Sequence, residues 1–240
     1  MKFHSLMAAA LLSFSMQSHA GLIHHFTLNG SLADSAGSTS LVALGGELRA
    51  NDYLFGADQG LRLDARLGGV YTIDLRFRFD SLATYGRIVD FKNLTGDSGF
   101  YAVGDGLRLY SVSNVGGHLD AGVDSRLTLT RDAQNMFKVY QNGELVVSVS
   151  DTSGIADFGQ NVAHFFRDND GTNSGEANPG AVDYIRIYDV ALSLDEVRAL
   201  TPPDAQVAEP GPLGLMGVGL ALLGFIRRRA DGRAVHPTRV

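Results

Sequence analysis

The segment Tyr71-Thr-Ile-Asp-Leu-Arg-Phe-Arg-Phe-Asp80 alternates without a break. Successive side chains of an extended strand point to opposite faces. Tyr71, Ile73, Leu75, Phe77 and Phe79 therefore share one side, and Thr72, Asp74, Arg76 and Arg78 share the other. This is the pattern of a half-buried antiparallel strand, apolar towards a core and charged towards water. A second segment, Phe137-Lys-Val-Tyr-Gln-Asn-Gly-Glu-Leu-Val-Val-Ser-Val149, sets Asn142-Gly143 between two apolar runs. Both central residues of a type I′ turn need positive φ, which Asn and Gly accept, so this spacing predicts a hairpin.

Shorter runs at 22–27, 87–91, 107–112, 126–131, 162–166 and 181–188 also read as strands, divided by clusters of Gly, Asn and Asp. Many short strands with turn signals between them indicate a sandwich. Only Ser193-Leu-Asp-Glu-Val-Arg-Ala-Leu200 reads as a helix, with Ser193 as N-cap and Glu196 completing a capping box. Pro202-Pro203 then ends it. The expected fold class is all-β, an antiparallel two-sheet jelly-roll sandwich, with no internal repeat.

The composition agrees and removes several functions. With no cysteine, thiol catalysis, thiolate metal sites and disulfides are all excluded. The net charge of −6 becomes more negative once the termini are set aside, because Lys2, Arg227, Arg228, Arg229, Arg233 and Arg239 lie there. A nucleic-acid partner is disfavoured. Acidity is carried mainly by Asp, which with Gly and Asn makes turns and oxygen-ligand sites in preference to helices.

Three pieces in order carry a resemblance: His25-Phe-Thr-Leu-Asn-Gly30 with Ala33-Asp-Ser-Ala-Gly37, the Val139-Tyr-Gln-Asn-Gly-Glu144 hairpin, and Val182-Asp-Tyr-Ile-Arg-Ile-Tyr-Asp-Val-Ala-Leu-Ser193. Together they resemble the laminin-G-like branch of the concanavalin A-like lectin/glucanase superfamily, across residues 21–200. The resemblance implies a non-catalytic binding or structural module whose partner is a glycan or an extracellular protein. The alternative reading is an envelope glycoside hydrolase using dispersed carboxylates.

The motifs that carry chemistry are few. Gly96-Asp-Ser-Gly99 copies a serine-protease nucleophile tetrapeptide but reads better as a turn, since no positioned His and Asp accompany it. The superfamily's glucanases carry a strand with two carboxylates on one face. No such strand is present here: Glu47, Glu144, Glu176, Glu196 and Glu209 are scattered. The loop Phe166-Arg-Asp-Asn-Asp-Gly-Thr-Asn-Ser-Gly-Glu176 is different, because Asp168 and Asp170 flank Asn169 just before a Gly and offer hard oxygen ligands on a sharp turn. Asp168, Asp170 and Glu176, with Asp183 on the following strand, are the candidate ligands for Ca²⁺; a solvated acidic turn is the competing reading. The resemblance implies a calcium site in an acidic loop before the last strand. Asp34 is a weaker candidate, and His24-His25 point to opposite faces.

The two ends read as addresses. Residues 1–20 have one Lys, an apolar stretch and Ser18-His-Ala20 as a small-x-small cleavage site, so a signal peptide ending at Ala20 is expected. Near the other end, a linker at 201–211 carries Glu209-Pro210, the apolar run Pro212-Leu-Gly-Leu-Met-Gly-Val-Gly-Leu-Ala-Leu-Leu-Gly-Phe-Ile226 follows, and Arg227, Arg228 and Arg229 stop it. The run is shorter than the ~20 residues that cross a bilayer comfortably. This order, at 201–229 with a further tail at 230–240, resembles the PEP-CTERM sorting signal of exopolysaccharide-producing Gram-negative bacteria, although Ala208 replaces the first Pro. The resemblance implies processing by an exosortase-like enzyme, a transient stay in the inner membrane, and delivery to the outer surface or extracellular matrix. A plain single-span anchor is the other reading.

Overall fold

The computed structural model describes residues 21–169, 171 and 175–200. The candidate ligand Asp170 and the sorting residues Ala20, Glu209, Pro210, Arg227, Arg228 and Arg229 lie outside the described residues, as do the signal peptide and the C-terminal apolar run. With strands numbered along the chain, two antiparallel sheets form a sandwich. The eight-stranded sheet has the order β12 (Glu144–Ser150), β11 (Met136–Gln141), β10 (Ser125–Arg131), β6 (Tyr71–Phe79), β14 (Gly180–Tyr188), β4 (Tyr53–Phe55), β3 (Glu47–Leu48), and β1 (Leu22–Phe26) pairs with the other half of β14. The six-stranded sheet has the order β2 (Val42–Ala43), β5 (Leu61–Leu63), β13 (Ala163–Phe165), β7 (Tyr85–Asp90), β8 (Gly99–Val103), β9 (Gly106–Leu109).

The alternating segment became the strand β6, central in its sheet. Its register sets Ile73 opposite Leu129 and Leu75 opposite Leu127, so the apolar rows of neighbouring strands coincide. These residues are fully buried, along with Phe55, Phe77, Phe100, Phe137 and Phe165. Burying such side chains supplies about 1.5–3 kcal/mol each. No disulfide contributes. The hairpin of β11 and β12 turns at Asn142 and Gly143 with φ of 51° and 87°, as the type I′ reading requires.

One expectation for β6 needs correction. Thr72 and Asp74 were expected to face water, yet both are fully buried. After β14 the chain turns back over the sheet: Thr72 Oγ1 donates to Val190 O and accepts from Leu192 N. The helix α1 (Leu194–Ala199) follows, and its Val197 O accepts a bond from Arg126, which also donates to Asp74 at 2.8 Å. Ser193 and Glu196 form the capping box, Ser193 N donating to Glu196 Oε2 at 2.7 Å. The outer half of the β6 pattern is therefore buried near the helix and half-buried farther along, at Arg76 and Arg78.

Candidate functional site

The site is built on a defect in β7. Residues 87 and 90 are three apart and would face opposite ways in a regular strand. A bulge between Arg87 and Val89 adds a residue, and Asp90 returns to the face of Arg87. The two form an ion pair at 2.8 Å with both side chains fully buried. Arg87 lies opposite Tyr101 of β8, and its guanidinium sits 4.9 Å from the centre of that ring.

The acidic loop closes over this pair. It begins at Phe166, whose φ of 58° is left-handed and unusual for so large a residue. The ring is held by stacking on Phe55 at 4.5 Å, and Phe166 N donates to Ile88 O. Further on, Arg87 N donates to Glu176 O at 2.8 Å, so the loop is stitched to β7 at two points. This brings Asp168 to 3.2 Å and Glu176 to 3.6 Å from Arg87 Nη2. Asp97, in the turn after β7, lies 3.7 Å from the same atom and accepts from Asn169 Nδ2 at 3.0 Å.

Two predicted ligands, Asp168 and Glu176, are thus brought together, but around an arginine. Asp168 is fully buried, and its carboxylate also accepts from Asn169 N and Glu176 N. Asp183 is elsewhere: it lies on β14 in the other sheet, 3.1 Å from Arg76. The expectation that it joins Asp168 is corrected, because β14 presents it on the outer face of the eight-stranded sheet beside β6. Asp34 anchors the first turn, accepting from His25 N, Ala36 N and His24.

Among the described residues, Asp90, Asp97, Asp168 and Glu176 all lie around one hub, the guanidinium of Arg87. At an effective dielectric of about 20, unit charges 4 Å apart interact by about 4 kcal/mol, so carboxylates gathered this closely act on one another's protonation. Burial raises the pKa of Asp90. Burial, then the charges of Asp168 and Asp97, raise that of Glu176. His164, on the neighbouring strand β13 and paired in register with Asp90, is pushed down to about 4 by burial and by Arg62 and Arg167, and so is neutral near pH 7.

Beside the hub the same sheet face carries three tyrosines. Tyr101 is fully buried. Tyr85 of β7 and Tyr110, just after β9, are half-buried over it, with centroids 6.4 Å and 5.6 Å from Tyr101 and 6.1 Å from each other. Arg108 of β9 lies opposite Tyr101 and donates from Nε to Ser113 O at 2.9 Å. Sequence reading missed Arg87 and the tyrosines. The one signal was an arginine inside an apolar strand, Tyr85-Gly-Arg-Ile-Val-Asp90, where an unpaired charge would be costly.

Comparison with known proteins follows the fold. No curated protein sequence matches the chain. Among solved structures, domain 4 of AbnA, a GH43 extracellular arabinanase from Geobacillus stearothermophilus in complex with arabinotriose, aligns with a TM-score of 0.60 at 19% identity, covering 76% of this chain and 99% of that domain. Trypanosoma rangeli sialidase aligns at 0.57 and 16% identity over 75% of this chain, which spans only 32% of the sialidase chain. A botulinum neurotoxin type C structure, from work on cell entry through two ganglioside molecules, aligns at 0.53 and 13% identity, covering 75% of this chain and 50% of that one. At such identities the likeness is one of fold. A laminin G-type family model, described as the concanavalin A-like lectin/glucanases superfamily, matches residues 55–198. The chain therefore belongs to the concanavalin A-like lectin/glucanase superfamily.

Proposed function

We propose that this protein is an exported, non-catalytic recognition module that binds glycan on the outer face of its six-stranded sheet. The observation that carries the proposal is the pair of half-exposed rings, Tyr85 and Tyr110, seated on the buried ring of Tyr101. Sugar rings present C–H faces that pack on aromatic surfaces, and a tyrosine fixed by packing loses little entropy when it binds. The structural neighbours in complex with arabinotriose or linked to gangliosides support a carbohydrate ligand. The terminal segments support export and PEP-CTERM-like sorting by an exosortase-type enzyme to the cell envelope or matrix.

Calcium belongs to the same proposal. Among the described residues no three metal-ligating side chains are grouped to hold an ion, so the calcium reading rests on the acidic composition of the loop and on the carboxylates of Asp97, Asp168 and Glu176 around Arg87. One observation favours a second reading, that of a glycosidase. Burial, then Asp168 and Asp97, raise the pKa of Glu176, the direction a general acid needs, and a second carboxylate at the hub, Asp97, is 41% exposed. A glycan array run with a reducing-sugar assay on the bound polymers separates the two. Binding without turnover supports the module, whereas turnover abolished by Glu176→Gln would replace it with the enzyme.

A further inference from the structure

The glycan reading leaves one group on the platform unexplained, and that group is Arg108. Among the described residues, each of the other buried or half-buried arginines has a carboxylate ion-pair partner: Arg49, Arg62, Arg76, Arg78, Arg87, Arg126, Arg131, Arg167 and Arg186. Arg108, half-buried on the open side of β9, has none among the described residues. Asp105, the acid nearest to it in sequence, is engaged by His118 Nδ1 at 3.2 Å. The guanidinium is also held in place. Its Nε donates to Ser113 O at 2.9 Å, while its Nη1 and Nη2 groups make no hydrogen bond to another described residue. Its stem lies opposite Tyr101, and Tyr110 stands two residues further along the same face.

An arginine with a fixed Nε and two open Nη groups presents a planar fork of donors, which matches a carboxylate. Resting on the glycan reading above, we infer that Arg108 recognises the carboxylate of an acidic sugar whose ring lies on Tyr85 and Tyr110. The ligand class is then a uronic-acid-type polysaccharide. Such a ligand brings the counter-charge that this arginine lacks among the described residues, while the tyrosines carry the sequence-tolerant part of the affinity. Val115, 52% exposed at the sheet edge where it leans over Gly106, bounds the platform on the far side from the acidic loop.

The test uses the full chain and two forms of one probe, an oligogalacturonate and the same oligosaccharide with its carboxyl groups reduced, followed by calorimetry at low and at high salt. The acid form should bind at least about tenfold more tightly, the worth of a charge-assisted bidentate contact. Arg108→Gln should erase that difference, Arg108→Lys should keep part of it, and Tyr110→Ala should weaken both forms alike. Equal binding of the two forms overturns the assignment of Arg108 while the platform stands. Binding of neutral glycans alone, at a site sensitive to Tyr110→Ala, overturns it in the same way. Failure of every glycan to bind overturns the platform and the assignment together. Should Arg108→Gln melt early through loss of the Ser113 bond, the wild-type comparison of acid and reduced forms still decides.

Discussion

Arg87 and Asp168 lie 3.2 Å apart with both side chains fully buried, although one belongs to β7 and the other to the loop that precedes β14. This contact ties the acidic loop to the sheet. Arg87→Ala should destabilise the domain by about 3–5 kcal/mol at pH 7, the cost of leaving buried charges without their partner. Thermal and urea melts measure it. The deficit should shrink in acid, as Asp90, whose pKa burial raises, takes up its proton and no longer needs the guanidinium.

Glu176 gives the pH dependence a sign. Its pKa is raised above 4.5 by burial and then by Asp168 and Asp97. The folded state therefore holds this proton more tightly than the unfolded chain does. Stability from the group is complete below 4.5 and is lost as pH rises through the raised folded value. Glu176→Gln should consequently raise the melting temperature more at pH 7 than at pH 4.5 in the absence of divalent ions. An equal change at both pH values would contradict this.

Calcium should act on the same group of carboxylates. Millimolar Ca²⁺, the range of weak extracellular sites, should raise the melting temperature of the wild-type chain by mass action. Mg²⁺ should do less, because it demands a tighter octahedral shell. Glu176→Gln with Asp97→Asn should abolish the response. Asp168→Asn is a poorer probe, since that residue also holds Arg87 and two backbone amides.

Much of the fold was legible because its signals are local. The alternation of Tyr71 to Phe79, the Asn142-Gly143 turn and the Ser193 capping box each depend on neighbours in sequence, and each is present. The strands that went unread are β2, β3, β4, β5 and β8. Four have only two or three residues, too few to establish a period, and Gly99-Phe-Tyr-Ala-Val103 is apolar on both faces because Tyr101 is covered by Tyr85 and Tyr110. The site was legible only in part. Asp168 and Glu176 were singled out from composition, but their partner lies some 80 residues away in sequence, and only the bulge at Arg87 and the crossing of the loop bring them together.

The capping box offers a local check. Ser193→Ala removes the hydroxyl that Glu196 N and Glu196 Oε2 share, and should cost about 1 kcal/mol, the usual worth of an N-cap. The same change should loosen the cover over Asp74, since Arg126 donates to Val197 O in that helix. Hydrogen exchange at Leu192 and Val197 should quicken together; faster exchange confined to Val197 would show that helix and cover are uncoupled.

The central claim is that Tyr85 and Tyr110 form the glycan platform of a module that does not turn its ligand over. The most direct measurement is calorimetry of the wild-type chain and of Tyr85→Ala with Tyr110→Ala on the polysaccharide a glycan array selects, with reducing ends counted in the same samples. Measurable binding by the wild type is expected, with a loss of about tenfold or more in the double variant, whose β-rich circular dichroism is kept although its melting temperature falls as Tyr101 is uncovered, and no new reducing ends. Undiminished binding by the double variant, or release of reducing sugar by the wild type, would contradict the claim.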